Sequence, residues 1–159
     1  IDRLGGRQPW CSTTHFQFSE VTIRSRSVML VKPTTYMNDS GVAVRDILER
    51  AAIGIEQLLI LVDDIHLDVG RMRFRRSGSD GGHNGLSSVI GELSDEGFAR
   101  ARLGVGKAPL GVSQIDHVLG RFPACEHSVV DAMIERVAEA VRTWCGDGVE
   151  IGMNRFNNQ

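Results

Sequence analysis

The stretch that most constrains this chain is "QLLILVDDI", residues 57 to 65, in which five consecutive apolar residues run into two aspartates. An uninterrupted apolar run of this length suits a strand covered on both faces, because neither side of its pleat meets water. Such a strand needs layers to cover it, and the rest of the sequence offers them. "HFQFSEVTIRSRSVMLVK", 15 to 32, sets two β-rich stretches around a polar "RSRS" and predicts a hairpin. Its second half, Val28 to Val31, is again continuously apolar and stops at Lys32-Pro33, as a buried strand would. Val44, Ile47, Leu48, Ala51 and Ala52 follow at helical spacing, between a cap at Asp39 or Ser40 and a stop at Gly54. "RMRFRR", 71 to 76, alternates, with Arg71, Arg73 and Arg75 on one face and Met72 and Phe74 on the other. A helix starting near Gly82 carries Leu86, Val89, Ile90 and Leu93, and "RARLGVG", 100 to 106, reads as a strand. Val130, Met133, Val137, Val141 and Trp144 mark one face of a longer helix closed by Gly146. Strands alternating with helices predict the α/β class, and the hairpin makes the sheet mixed.

Composition narrows the function classes. The 159 residues suit one domain, 1–159, with no internal repeat or convincing linker. No apolar run approaches the length of a membrane span, and "IDRLGGRQPW" lacks the basic start and apolar core of a signal peptide. Three cysteines far apart, Cys11, Cys125 and Cys145, with no C-x-x-C, argue for a reducing compartment and against a disulfide frame or a zinc site. The net charge of −2 is uninformative, but its distribution is not. Between Val69 and Ser79 no residue is acidic and four are arginine: Arg71, Arg73, Arg75 and Arg76. Arg100, Arg102 and Lys107 form a second basic cluster.

In open α/β sheets ligands bind beyond the carboxyl ends of strands, where Asp63 and the "PTTYMN" loop fall. Asp63-Asp64 reads as a turn-and-cap pair or as a carboxylate that orients a catalytic histidine and raises its basicity. Asn38 can cap a turn, or hold a carbonyl or water through an amide that both donates and accepts. Tyr36 offers a flat face for stacking on a base or ribose. His83 and Asn84 follow two glycines at a helix start, where free N–H groups suit a phosphate or carbonyl oxygen. The same-side arginines suit a solvated face or a phosphate track, and sparse aromatics (6%) disfavour extended stacking on single-stranded nucleic acid. "DDIHLD" has the composition of a metal site, but strand alternation puts Asp63 and His66 on different sides. No G-x-S-x-G elbow supports a different α/β hydrolase on a small ester.

"KPTTYMNDSGVAV", "LVDDIHLDVGRMRFRRSGSDGGHNGLSSVI", "FARARLGVGKAP" and "DHVLGRF" occur in the order and spacing of the bacterial-type peptidyl-tRNA hydrolases, which the whole chain resembles. The resemblance implies a cytoplasmic, monomeric esterase that cleaves the bond between a peptide and the 3′ ribose of tRNA and recycles the tRNA. It also implies a three-layer α/β/α sandwich around a mixed, mostly parallel sheet, with no metal or organic cofactor and no membrane partner. Carried over by motif, Asn38 would position the attacked group or water, and Tyr36 would contact the tRNA end. Asp63 would hold the catalytic histidine in its basic form. Asn84 would bind substrate with His83 beside it, and Arg73, Arg75 and Arg102 would clamp tRNA phosphates.

One departure is large. The family's catalytic histidine lies in a "TRHN" motif behind a first strand and a "GLGNPG" loop, and neither has a counterpart in this sequence. None of His15, His66, His83, His117 and His127 matches its position. The expectation is an N-terminally truncated form, nearly inactive by itself because a general base contributes about 10²- to 10⁴-fold. Two sheet edges would be exposed where the first strand is missing. The competing expectation is a non-catalytic RNA-binding relative, like the chloroplast intron-splicing members of the family.

Overall fold

A computed structural model describes residues 2–4 and 10–157. Residues 1, 5–9 and 158–159 lie outside it, including part of the opening segment inspected for a signal peptide. The chain divides into two compact units, one built from residues 1–59 and 76–99, the other from 60–75 and 100–159.

In the first unit, β1 (Cys11–Ser12), β2 (Phe16–Ile23) and β3 (Arg26–Pro33) form an antiparallel sheet in that order. Val21 pairs with Val28 and Ile23 with Arg26, so the predicted hairpin turns at Arg24-Ser25. Both turn residues have positive φ, 47° and 63°, as a two-residue turn of the right twist demands. Ser19, Val21 and Ile23 are buried while Glu20 and Thr22 are exposed, the period of a one-faced strand. Helix α1 (Ser40–Ala51) buries Ala43, Val44, Ile47 and Leu48. It stops at Ala52, which takes the left-handed conformation at φ 51°, two residues before the Gly54 that the sequence suggested. Helix α2 (Asn84–Leu93) buries Gly85, Leu86 and Val89. Burying Leu86 and Val89 contributes roughly 1.5–3 kcal/mol each. Gly41 lets the two helices approach: its N–H donates to Ser88 Oγ at 2.9 Å, and a Cβ there would fall 2.3 Å from the Ser88 carbonyl oxygen. Arg45 and Glu92 close the same crossing as an ion pair.

In the second unit, β4 (Leu59–Asp64), β6 (Ala99–Gly104) and β5 (Met72–Arg75) form a mixed sheet in the order β4-β6-β5. The predicted alternation holds on β5, where Met72 and Phe74 are fully buried. The α/β class with a mixed sheet is therefore the one that the strand and helix pattern implied. Strand β5 is an edge, and α5 (Val149–Phe156) covers it. Just after α5, the Asn157 side chain accepts from Phe74 N at 2.7 Å and donates to Phe74 O at 3.1 Å, doing what a neighbouring strand would do. Helix α4 (His127–Asp147) runs through Gly146 and closes at Gly148, whose φ of 87° ends it. A glycine costs a helix interior only about 1 kcal/mol, so Gly146 does not break it. Short α3 (Gln114–Leu119) is set off by Ser113, whose hydroxyl accepts from Asp116 N.

The two continuously apolar runs depart from expectation. Val28 to Val31 on β3 are each half-buried, and Leu61 on β4 is 46% exposed. Among the described residues both strands are edges of their sheets, each with a single paired neighbour, so the apolar sequence is not matched by full cover.

Candidate active site

The eight residues singled out from sequence divide between the units. Tyr36, Asn38, His83 and Asn84 belong to the first; Asp63, Arg73, Arg75 and Arg102 belong to the second.

In the first unit the loop after β3 tightens into a 3₁₀ turn at Met37–Asp39, where Asp39 N donates to Tyr36 O at 2.9 Å. Ser40 Oγ donates to Met37 O at 2.8 Å and fixes the turn to the start of α1. Tyr36 is 83% exposed, with extended backbone, and Asn38 beside it is exposed, its amide donating to Asp39 Oδ1 at 3.3 Å. Met37, itself exposed, lays its thioether against the start of α2: a Cβ on Gly85 would lie 2.6 Å from Met37 Sδ. The fold thus brings "TYMN" and "GGHNG" together, with Gly85 as the close-approach glycine. Gly81 and Gly82 serve differently, having positive φ (58° and 83°) and open space around them. His83 caps α2, Nδ1 accepting from Leu86 N at 3.1 Å, and Asn84 stands exposed in the first helical turn. The cap requires an unprotonated Nδ1, which suits a structural histidine.

In the second unit Asp63 is half-buried near the carboxyl end of β4, and its neighbour Asp64 is buried. Arg73 on β5 lies directly across from Arg102 on β6, and Arg75 from Arg100. Arg100 is 2% exposed, so it does not join Arg102 in a solvent-facing basic cluster as the sequence suggested. Like charges directly opposite are unfavourable in a sheet. An acid relieves one of them: Asp64 Oδ2 lies 2.5 Å from Arg102 Nε.

Sequence reasoning missed that ion pair, Met37 and Ser88. It also missed a histidine–carboxylate pair. His15 Nδ1 lies 3.1 Å from Asp46 Oδ2, whose other oxygen takes Arg50 Nε at 2.5 Å, beside a recess of about 400 Å³ lined by Phe16, Phe18, Met29 and Ile47. The Arg50 hydrogen bond, with a smaller share from His15, holds the Asp46 carboxyl below the usual carboxylate range despite partial burial. No local signal could have revealed partners 31 residues apart. His117 Nε2 lies 3.1 Å and 3.0 Å from the carbonyls of Val105 and Gly106, and His127 Nε2 lies 3.0 Å from that of Phe122, so both rings donate there. Four of the five histidines are thus held by structural contacts. Among the described residues no group of three or more His, Cys, Asp or Glu could hold a metal ion, and no helix is long and apolar enough to cross a membrane.

The family model described as peptidyl-tRNA hydrolase matches residues 1–159, across both units. The chain belongs to the peptidyl-tRNA hydrolase family. A peptidyl-tRNA hydrolase of Lachnospira eligens is 43% identical over 135 residues, which is 85% of this chain and 73% of that protein. One of Parabacteroides distasonis is 38% identical over all 159 residues and 84% of its own length. Among solved structures, the crystal structure of peptidyl-tRNA hydrolase from Acinetobacter baumannii superposes with a TM-score of 0.86 at 29% identity, covering 98% of this chain and 81% of that one. A peptidyl-tRNA hydrolase crystallised with N-propanol gives a TM-score of 0.83 with the same coverage. These relatives are named as hydrolases, which leaves the non-catalytic, intron-splicing reading without support.

Proposed function

We propose that this chain hydrolyses peptidyl-tRNA: water attacks the ester carbonyl, releasing a peptide carboxylate and the free 3′ hydroxyl of the terminal ribose. The observation that carries this reading is the family match across residues 1–159. Asn38, exposed at a turn pinned by Ser40 and Met37, orients the ester carbonyl or the water through its amide. Asn84 binds substrate from the first turn of α2, where the helix dipole favours developing negative charge. Tyr36 presents a ring to the terminal base or ribose. Arg73, Arg75 and Arg102 bind tRNA phosphates. His83 contributes by holding the start of α2 in shape. Asp63 orients the histidine that acts as general base and holds it in its basic form. We further propose that the enzyme acts as a cytoplasmic monomer in a single functional domain.

The test is hydrolysis of N-acetylated aminoacyl-tRNA by the complete gene product. Asp63→Asn is expected to lower kcat about 10²- to 10⁴-fold, the contribution of a general base, while the Kd for tRNA stays unchanged. Equal loss of turnover and binding overturns the role of Asp63. No hydrolysis by the unaltered gene product at high enzyme concentration overturns the whole reading.

A further inference from the structure

We propose that Asp64 is a positioning residue for tRNA, holding Arg102 in the orientation that meets a backbone phosphate. This rests on the reading of the β5–β6 arginines as phosphate ligands.

Asp64 is held at one carboxylate oxygen and at its backbone carbonyl. Its side chain is 5% exposed; Oδ1 accepts from His66 N at 2.8 Å, and its backbone carbonyl accepts from Val105 N at 3.1 Å, just past the end of β6. The carboxylate is therefore held by the turn that follows β4, and its backbone by the residue just past the end of β6. Oδ2 then lies 2.5 Å from Arg102 Nε, a contact that is ionic and not a well-aligned hydrogen bond. Meeting the guanidinium through Nε leaves its two Nη groups for another partner. The Arg102 side chain is 33% exposed, so solvent reaches part of it, and Arg73 lies directly across the ladder. A guanidinium already held in place loses less freedom when a phosphate docks, which favours binding through preorganisation.

Two plainer roles make opposite forecasts. As a mere nearby negative charge, Asp64 would repel the polyanion, so its removal would tighten tRNA binding. As a purely structural residue, it would weaken binding whatever stood at position 102.

The experiment measures tRNA affinity against KCl concentration for the unaltered protein and four variants, with thermal melts alongside. Arg102→Ala is expected to weaken binding and reduce the salt slope by about one. Asp64→Asn is expected to weaken binding about 5-fold in the unaltered background and to have no further effect on Arg102→Ala, a coupling of the size seen between contacting residues. Arg102→Lys keeps the charge without the Nε contact and leaves Asp64 intact. It is expected to bind as poorly as Arg102→Ala, and it serves as the test if Asp64→Asn does not fold. Unchanged or tighter binding by Asp64→Asn overturns the proposal, as does equal weakening in both backgrounds or full binding by Arg102→Lys. If Arg102→Ala changes neither affinity nor slope, the phosphate reading itself has failed.

Discussion

Two glycines on one helix separate space from flexibility. Gly85 has Met37 Sδ where its Cβ would be, whereas Gly91, on the same α2, has nothing within 4 Å. Gly91→Ala is therefore expected to stabilise the protein by up to about 1 kcal/mol, the usual gain in helix propensity. Gly85→Ala should gain less than Gly91→Ala, because the exposed Met37 side chain and the His83 ring that caps α2 must both shift to admit the methyl. Urea unfolding of the two variants measures the contrast. Asp46 allows a test by pH. Arg50 and His15 stabilise its ionised form in the fold, so the folded pKa lies below the unfolded one. That contribution is present above the ordinary carboxylate pKa and disappears as the pH falls through the folded value. The stability difference between the unaltered protein and Asp46→Asn should stay level near neutrality and shrink below pH of about 4. A difference that grew on acidification would reverse the assignment.

Elements with strong patterns were legible because a single physical requirement wrote each of them. Alternation on β5 reflects one buried face, and the stripe of α2 reflects one packed side. Short α3 and α5 escaped notice because their limits come from a serine cap and from Gly148, not from a long periodic run. Covering of β3 and β4 was overestimated because an apolar run reports what a strand's side chains suit, not how many neighbours it has. At the site, residue types and loop positions were readable, while the partners of Asp64, His15 and Met37 needed tertiary geometry. The hairpin turn offers its own test. Arg24 and Ser25 both sit at positive φ, where Asn-Gly is more at ease. Changing Arg24→Asn together with Ser25→Gly should raise the urea midpoint, by about 1 kcal/mol in stability, with the register of β2 and β3 unchanged.

Across the molecule, a net charge of −2 conceals a local concentration of arginine on the β5–β6 ladder. Arg73→Ala with Arg75→Ala should weaken tRNA binding and flatten its salt dependence by up to about two slope units, with little change in melting temperature. A loss of affinity at constant slope would place phosphate contacts elsewhere. The division of the chain carries a different kind of consequence. The backbone passes from one unit to the other at residues 59–60, 75–76 and 99–100, so neither unit is a continuous piece of the polypeptide. As the protein is synthesised, β1 through α1 emerge before β4, but the partner that Gly41 and Met37 pack against is α2, which arrives only with residues 84–93. The first unit must wait, half made, while the β4 and β5 segments of the second leave the ribosome. The order of synthesis is not the order of assembly here. The interval before α2 appears is when the apolar side chains of α1 stand open to other chains and to chaperones.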